Sequence, residues 1–169
     1  CQPWPTSTPA TYPGPAAQGQ GQAFPPAAPP TASPLPTMGF VTRNGEDLEL
    51  DGRPYTFTGV NCGYLAGPYF PEYEVETVMD YFAAHGVEAV RVWCNPGIDL
   101  DRVERLLDMG ARRNIRFILV LQDFFGMTDG WRFKHKYKEI DLPHIHKVVP
   151  RFANRPEVLM WELMNEPAC

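Results

Sequence analysis

Residues 158–167 read Val158-Leu159-Met160-Trp161-Glu162-Leu163-Met164-Asn165-Glu166-Pro167. An apolar strand over 158–163 runs into Met164, Asn165, Glu166 and Pro167, and the proline stiffens the exit. A carboxylate at a strand end, beside a side-chain amide, is well placed to act on a bound ligand. The plain alternative is a structural glutamate that only closes the strand.

Working back from this stretch, strands and helices alternate. Asp141 is expected to cap a helix with Pro143 in its first turn and Ile145, Val148, Val149 and Phe152 on one face, stopped by Asn154 and Pro156. The unbroken apolar run 117–121 suits a strand buried on both faces of a parallel sheet, ending at Gln122 and Asp123. A helix over about 99–113 turns Val103, Leu106, Leu107 and Gly110 inward. Ahead of it, Ala89, Val90, Arg91, Val92 and Trp93 form a short strand cut off by Asn95, Pro96 and Gly97. Val75, Val78, Met79 and Phe82 fall at helical spacing in a segment that begins at Glu72, and Gly86 stands where the helix end wants a left-handed residue. A first core strand covers 55–60 and leads to Asn61 and a Gly- and Pro-bearing loop. Before it, Asn44-Gly45 and Asp51-Gly52 mark a small hairpin.

The fold class expected from this alternation is α/β, with a parallel sheet and right-handed crossovers. Polar residues gather just past the strand ends, the edge at which such sheets bind ligands. A doubly wound nucleotide-binding domain does not fit, because no Gly-rich phosphate loop follows the first strand.

Residues 1–38 contain no charged side chain and eleven of the chain's nineteen prolines, so they cannot bury enough apolar surface to offset their ordering entropy. This stretch is expected to be a disordered linker. All charge lies beyond it, and the net charge of −5 argues against a nucleic-acid partner and against a basic membrane patch. No run reaches the roughly 18 apolar residues of a membrane span, so no transmembrane segment is expected. Cys1 followed by an uncharged Pro/Thr/Ala tether fits either a lipid anchor of bacterial lipoprotein type or a simple chain boundary. Cys62, Cys94 and Cys169 match no zinc spacing, and Cys62 and Cys94 read either as two buried thiols or as a disulfide. His85 ends a helix, while His135, His144 and His146 fall in or beside a basic, exposed segment, so no metal or other cofactor is expected.

The stretch 40–167 resembles glycoside hydrolase family 5, in particular its β-mannanase and cellulase-like members, which are retaining enzymes built on (β/α)8 barrels. The residues that carry the resemblance are a hairpin over 48–55, Gly59 and Asn61 at the first strand's end, Val90 to Trp93 on the second strand, and 161–167 on the fourth. It implies a (β/α)8 TIM barrel truncated to about its first four βα units, with residues 39–169 as the N-terminal half of a catalytic domain that hydrolyses a β-1,4-linked polysaccharide such as mannan or cellulose. Glu166 would be the general acid/base, with its pKa raised by a carboxylate partner and partial burial. Asn165 would hydrogen-bond the sugar 2-hydroxyl. Arg91 would either orient the nucleophile's carboxylate or pair with Glu162. A sugar cleft needs aromatic platforms beside polar groups, so Trp93, Trp131, Tyr64, Phe124, Asn61 and Gln122 are the expected substrate contacts, with Tyr69 and Phe125 nearby. Gln122-Asp123 departs from the Asn- or His-containing pattern of such enzymes, which leaves mannan and cellulose both open.

The family's nucleophile comes from the end of a seventh strand, so no residue of this chain is assigned that role. The isolated chain is expected to be inactive and to leave an unpaired strand at each sheet edge. Its expected location is extracellular or anchored at the cell surface. The competing possibility is a non-catalytic carbohydrate-binding or structural surface lipoprotein that uses half a barrel.

Overall fold

The computed structural model describes residues 38–122 and 137–166, all within Pro34–Cys169, the second of the two units into which the chain divides. The expected linker lies outside the described residues except for its last member, Met38, which is buried.

Three short strands open the unit: β1 (Val41–Asn44), β2 (Asp47–Leu50) and β3 (Arg53–Pro54), paired antiparallel in that order. Gly45 (φ 64°) and the pair Asp51 (φ 53°) and Gly52 (φ 73°) supply the left-handed backbone that tight hairpin turns need. The expected hairpin is thus a three-stranded meander, because the second turn also opens onto a strand.

A parallel sheet follows, with strands β4 (Gly59–Asn61), β5 (Ala89–Trp93), β6 (Arg116–Val120) and β7 (Val158–Glu162) in sequential order. Between them run α1 (Glu72–Ala84), α2 (Leu100–Arg113) and α3 (Leu142–Phe152). β4 is shorter than the expected 55–60. The start of that run belongs to the meander, since the Tyr55 N–H donates to the Leu48 carbonyl at 2.8 Å.

The three helices cover one face of the sheet. Val75 and Met79 from α1, Val103, Leu106 and Leu107 from α2, and Val148 and Phe152 from α3 share a core with Val90, Val92, Phe117, Leu119 and Leu121. Burying a side chain such as Phe117 completely contributes about 2–3 kcal/mol. A doubly wound sheet reverses its strand order and carries helices on both faces. Sequential strands with all helices outside are instead the pattern of a barrel wall.

Two local features set the rim. Asp99 caps α2 by accepting from the Asp101 N–H at 2.9 Å. Asp141, expected to do the same for α3, does not: it closes a π-type turn, Tyr137–Asp141, in helical conformation and makes no side-chain cap bond. Its carboxylate is buried and accepts from Gln122 Nε2 at 2.9 Å. The sheet, rather than its own helix, takes up this acid.

The second feature is a bulge in the β6–β7 ladder. Phe117 pairs with Val158, but Ile118 pairs with Met160, so Leu159 is the extra residue. Past it, Trp161 lies in register with the core residue Leu119, and Glu162 with Val120 on the opposite face. A one-residue slip moves a strand's whole set of side chains to the other face. The bulge therefore packs Trp161 against the core and turns Glu162 toward Arg91.

Candidate active site at the C-terminal rim of the sheet

Parallel strands all end on one side, so Asn61, Trp93, Gln122 and Asn165 meet at the same rim although they are far apart in sequence. Asn61 is the last residue of β4, and its register partner is Arg91 on β5. Arg91 and Trp93 are two apart on β5 and so share the face away from the helices.

Arg91 organises the site. Its Nε donates to Glu162 Oε2 at 2.6 Å and its Nη2 to Glu162 Oε1 at 2.5 Å, a bidentate pair. The guanidinium also donates to Asn165 Oδ1 at 2.9 Å and to Asn61 Oδ1 at 3.2 Å. With side chains 22% and 29% exposed, Arg91 and Glu162 are screened much less than a surface pair. Of the two roles open for Arg91, the pair with Glu162 forms, and the same cation reaches the strand-end amide.

Asn165 is fixed at both backbone and side chain. Its N–H donates to the Gln122 carbonyl at 2.8 Å, and one residue beyond the end of β6 the Leu121 N–H donates to the Glu162 carbonyl at 2.8 Å. Because the side-chain oxygen of Asn165 accepts from Arg91, its NH2 end is directed away from the guanidinium. Glu166 follows with φ 45°, an uncommon conformation for a residue with a Cβ. Its side chain is exposed, so the partial burial expected for this carboxyl is not present: it stands four residues past the last strand position.

The Arg91 guanidinium lies 4.7 Å from the centroid of the Trp93 ring. Gly63 makes room for that ring, since a Cβ there would stand 2.7 Å from Trp93 Cε2 and Nε1. Trp93, Tyr64, Tyr69, Pro68, Pro96 and Ile98 line a shallow hollow beside the rim. Tyr64 and Tyr69 are 61% and 75% exposed and meet edge to face, with centroids 5.9 Å apart. Such ring faces, with amides and a carboxyl close by, suit a ligand that has both C–H faces and hydroxyls.

Gln122 departs from its expected role as a ligand contact. It is buried, and its amide donates to Asp141, so it supports the rim from beneath. Trp131 and Phe124, with Asp123, Phe125, His135 and Pro167, lie outside the described residues.

His144 was expected in an exposed segment, yet it is half-buried and its Nε2–H donates to the Cys94 carbonyl at 2.6 Å, tying α3 to the end of β5. The available signal was its spacing, four residues before the buried Val148. Cys62 and Cys94 are free thiols, and burial raises the pKa of both, that of Cys94 to about 12. Among the described residues no cluster of three or more His, Cys, Asp or Glu side chains could hold a metal ion, and no helix is long and apolar enough to cross a membrane.

No family model matches the chain. It is 26% identical over 166 positions to mannan endo-1,4-beta-mannosidase A of Podospora anserina, an alignment that covers 75% of this chain and 44% of that protein. It is 24% identical to mannan endo-1,4-beta-mannosidase F of Aspergillus fumigatus (85% and 43% covered) and 27% identical to mannan endo-1,4-beta-mannosidase 5 of Solanum lycopersicum (77% and 42%). The chain thus spans less than half the length of these curated relatives. Among solved structures it superposes on the endo-1,4-beta-mannanase of Rhizomucor miehei with a TM-score of 0.61 at 21% identity, covering 77% of this chain and 49% of that one. The endo-1,4-beta-mannanase of Eisenia fetida gives 0.59 at 15% identity, with 77% and 45% covered. The α/β fold is that of part of a (β/α)8 barrel, and in sequence the chain is similar to mannan endo-1,4-beta-mannosidases.

Proposed function

We propose that this chain carries the acid/base side of the active site of a retaining endo-β-1,4-glycanase whose substrate is β-1,4-mannan. One observation supports this most directly: an exposed carboxyl, Glu166, follows a strand end of a barrel-type sheet and adjoins an amide held by a half-buried Arg91–Glu162 pair.

In this reaction the Glu166 carboxylic acid gives its proton to the glycosidic oxygen as the bond to the anomeric carbon breaks. The resulting carboxylate then takes a proton from the water that attacks the glycosyl intermediate. Retaining enzymes place a second carboxylate about 5–5.5 Å from the first to form that intermediate. No residue of this chain is assigned to it. Asn165 donates to the sugar 2-hydroxyl oxygen, a bond that strengthens as the oxocarbenium-like transition state develops.

Trp93 and Tyr64 offer ring faces to the sugar C–H groups, Asn61 adds a polar contact, and Trp131 and Phe124 are further candidate sugar contacts from the sequence. Mannan is preferred to cellulose because the relatives named above carry mannan in their names. A polymer of this size does not cross membranes, so the site works outside the cell. Residues 39–169 belong to the catalytic barrel and 1–38 form its tether.

The protein translated from its full reading frame is expected to release reducing ends from β-1,4-mannan. Glu166→Gln should lower kcat by about 10²–10⁴-fold. Undiminished turnover by that variant would remove Glu166 from the chemistry.

A further inference from the structure

We infer that Glu162 is a positioning residue for the reaction: through Arg91 it fixes the side-chain amide of Asn165 in the orientation that donates to the sugar. This rests on the hydrolase proposed above. The ion pair is thus part of the working site as well as of the barrel wall.

The chain of contacts is short. Glu162 holds the guanidinium at two points, 2.5 and 2.6 Å, which fixes both its plane and its rotation. Held this way, Nη2 also donates to Asn165 Oδ1 at 2.9 Å. An amide whose oxygen accepts from a fixed cation presents its NH2 group on the other side, and a flip would set NH2 against guanidinium N–H. Without the Glu162 carboxylate, Arg91 keeps Asn61 and the Trp93 ring as neighbours but loses the two bonds that set its angle.

The backbone at Asn165 does not depend on this pair. The Asn165 N–H is held by the Gln122 carbonyl, and three residues earlier the Glu162 carbonyl accepts from the Leu121 N–H, both through main-chain atoms. Substitution of Glu162 should therefore disturb the direction of the amide more than the path of the chain. The bulge at Leu159 brings Glu162 to this face at all, since in unbroken register it would pair with Leu121 on the helix side.

The test compares Glu162→Gln, Asn165→Ala and the double variant in the full-length protein, with mannan as substrate and the folded fraction measured for each. Misplacing a group that acts in the transition state by about 1 Å costs on the order of 100-fold. Glu162→Gln is expected to lower kcat by about 10- to 100-fold with KM within about twofold, because the bond it misdirects strengthens only in the transition state. The double variant should be no slower than Asn165→Ala alone, and Glu162→Asp, which restores the charge, should recover part of the loss. A purely structural Glu162 would lower the folded fraction and leave kcat per folded molecule unchanged, and that result would overturn the inference. So would losses that multiply in the double variant.

A second readout does not depend on turnover. The Asn165 side-chain NH2 signal in NMR, identified by its disappearance in Asn165→Ala, should shift in Glu162→Gln and exchange with solvent several-fold faster. An unmoved signal overturns the positioning role. Absence of mannan cleavage by the unsubstituted protein would instead strike the hydrolase proposal and leave this measurement to decide the role of Glu162.

Discussion

Arg91 sits where four side-chain oxygens converge, two from Glu162 and one each from Asn61 and Asn165, with the Trp93 ring against its guanidinium. Strand-end residue types, read together with the family resemblance, marked Arg91, Trp93, Asn165 and Glu166 as candidates from sequence. They were not enough to say that Gln122 turns inward to Asp141, because a strand-end amide has no local signal for which side it faces. The thiols illustrate a simpler environment. Cys94 is buried at the end of β5 with its pKa raised to about 12, so it is almost wholly protonated near neutral pH. Since the thiolate is the reactive form, Cys94 is expected to resist iodoacetamide at about pH 8 in the folded protein and to label fully once unfolded. Rapid labelling of native protein, located by mass spectrometry, would contradict this burial.

Helical periodicity located α1, α2 and α3, and Val103, Leu106, Leu107 and Gly110 are buried on α2 as their spacing predicts. Gly110 shows what periodicity leaves out. A Cβ there would meet Ile115 O at 2.5 Å and Phe117 Cε2 at 2.4 Å, so α2 lies against the start of β6 at glycine distance. Gly110→Ala would gain about 1 kcal/mol in helix propensity. It is nonetheless expected to lower stability by about 1–3 kcal/mol, because a backbone carbonyl cannot rotate out of the way. A raised Tm for this variant would show that the two elements can separate at little cost.

Charged ties between α2 and α3 add a dependence on pH. Arg151 bonds Asp101 and Glu104, and its hydrogen bond and charge lower the pKa of Asp101. A carboxylate with a depressed folded-state pKa stabilises the protein above its unfolded pKa, near 4, and loses that contribution as pH falls through the folded value. The Tm difference between the protein and Asp101→Asn should therefore be present at neutral pH and vanish in stronger acid. A difference that grows on acidification would reverse the assignment.

At the scale of the whole unit, four parallel strands in sequential order put α1, α2 and α3 on one face and bring their own C-terminal ends to one rim. The antiparallel meander is tied to this sheet through Arg116, a buried cation whose Nη2 donates to the Gly39 carbonyl at 3.0 Å and whose guanidinium lies 5.3 Å from the Tyr55 ring centroid. Arg116→Ala removes both contacts and is expected to cost about 1–3 kcal/mol. Hydrogen exchange in β1 and β2 should then quicken before that in β5 and β6. Equal acceleration throughout would mean that the meander and the sheet open as one unit.

The sequence by itself determined the alternation of strands and helices, the apolar faces of α1, α2 and α3, and the polar residues that follow the strands, since each depends on spacing within one element. Only the tertiary structure decided that Leu159 bulges, that Glu162 thereby faces Arg91, and that Asp141 serves the sheet and not its helix. Local periodicity fixes which side chains share a face. Register between strands about forty residues apart is fixed by how those faces pack, and one extra residue in a ladder reverses the outcome.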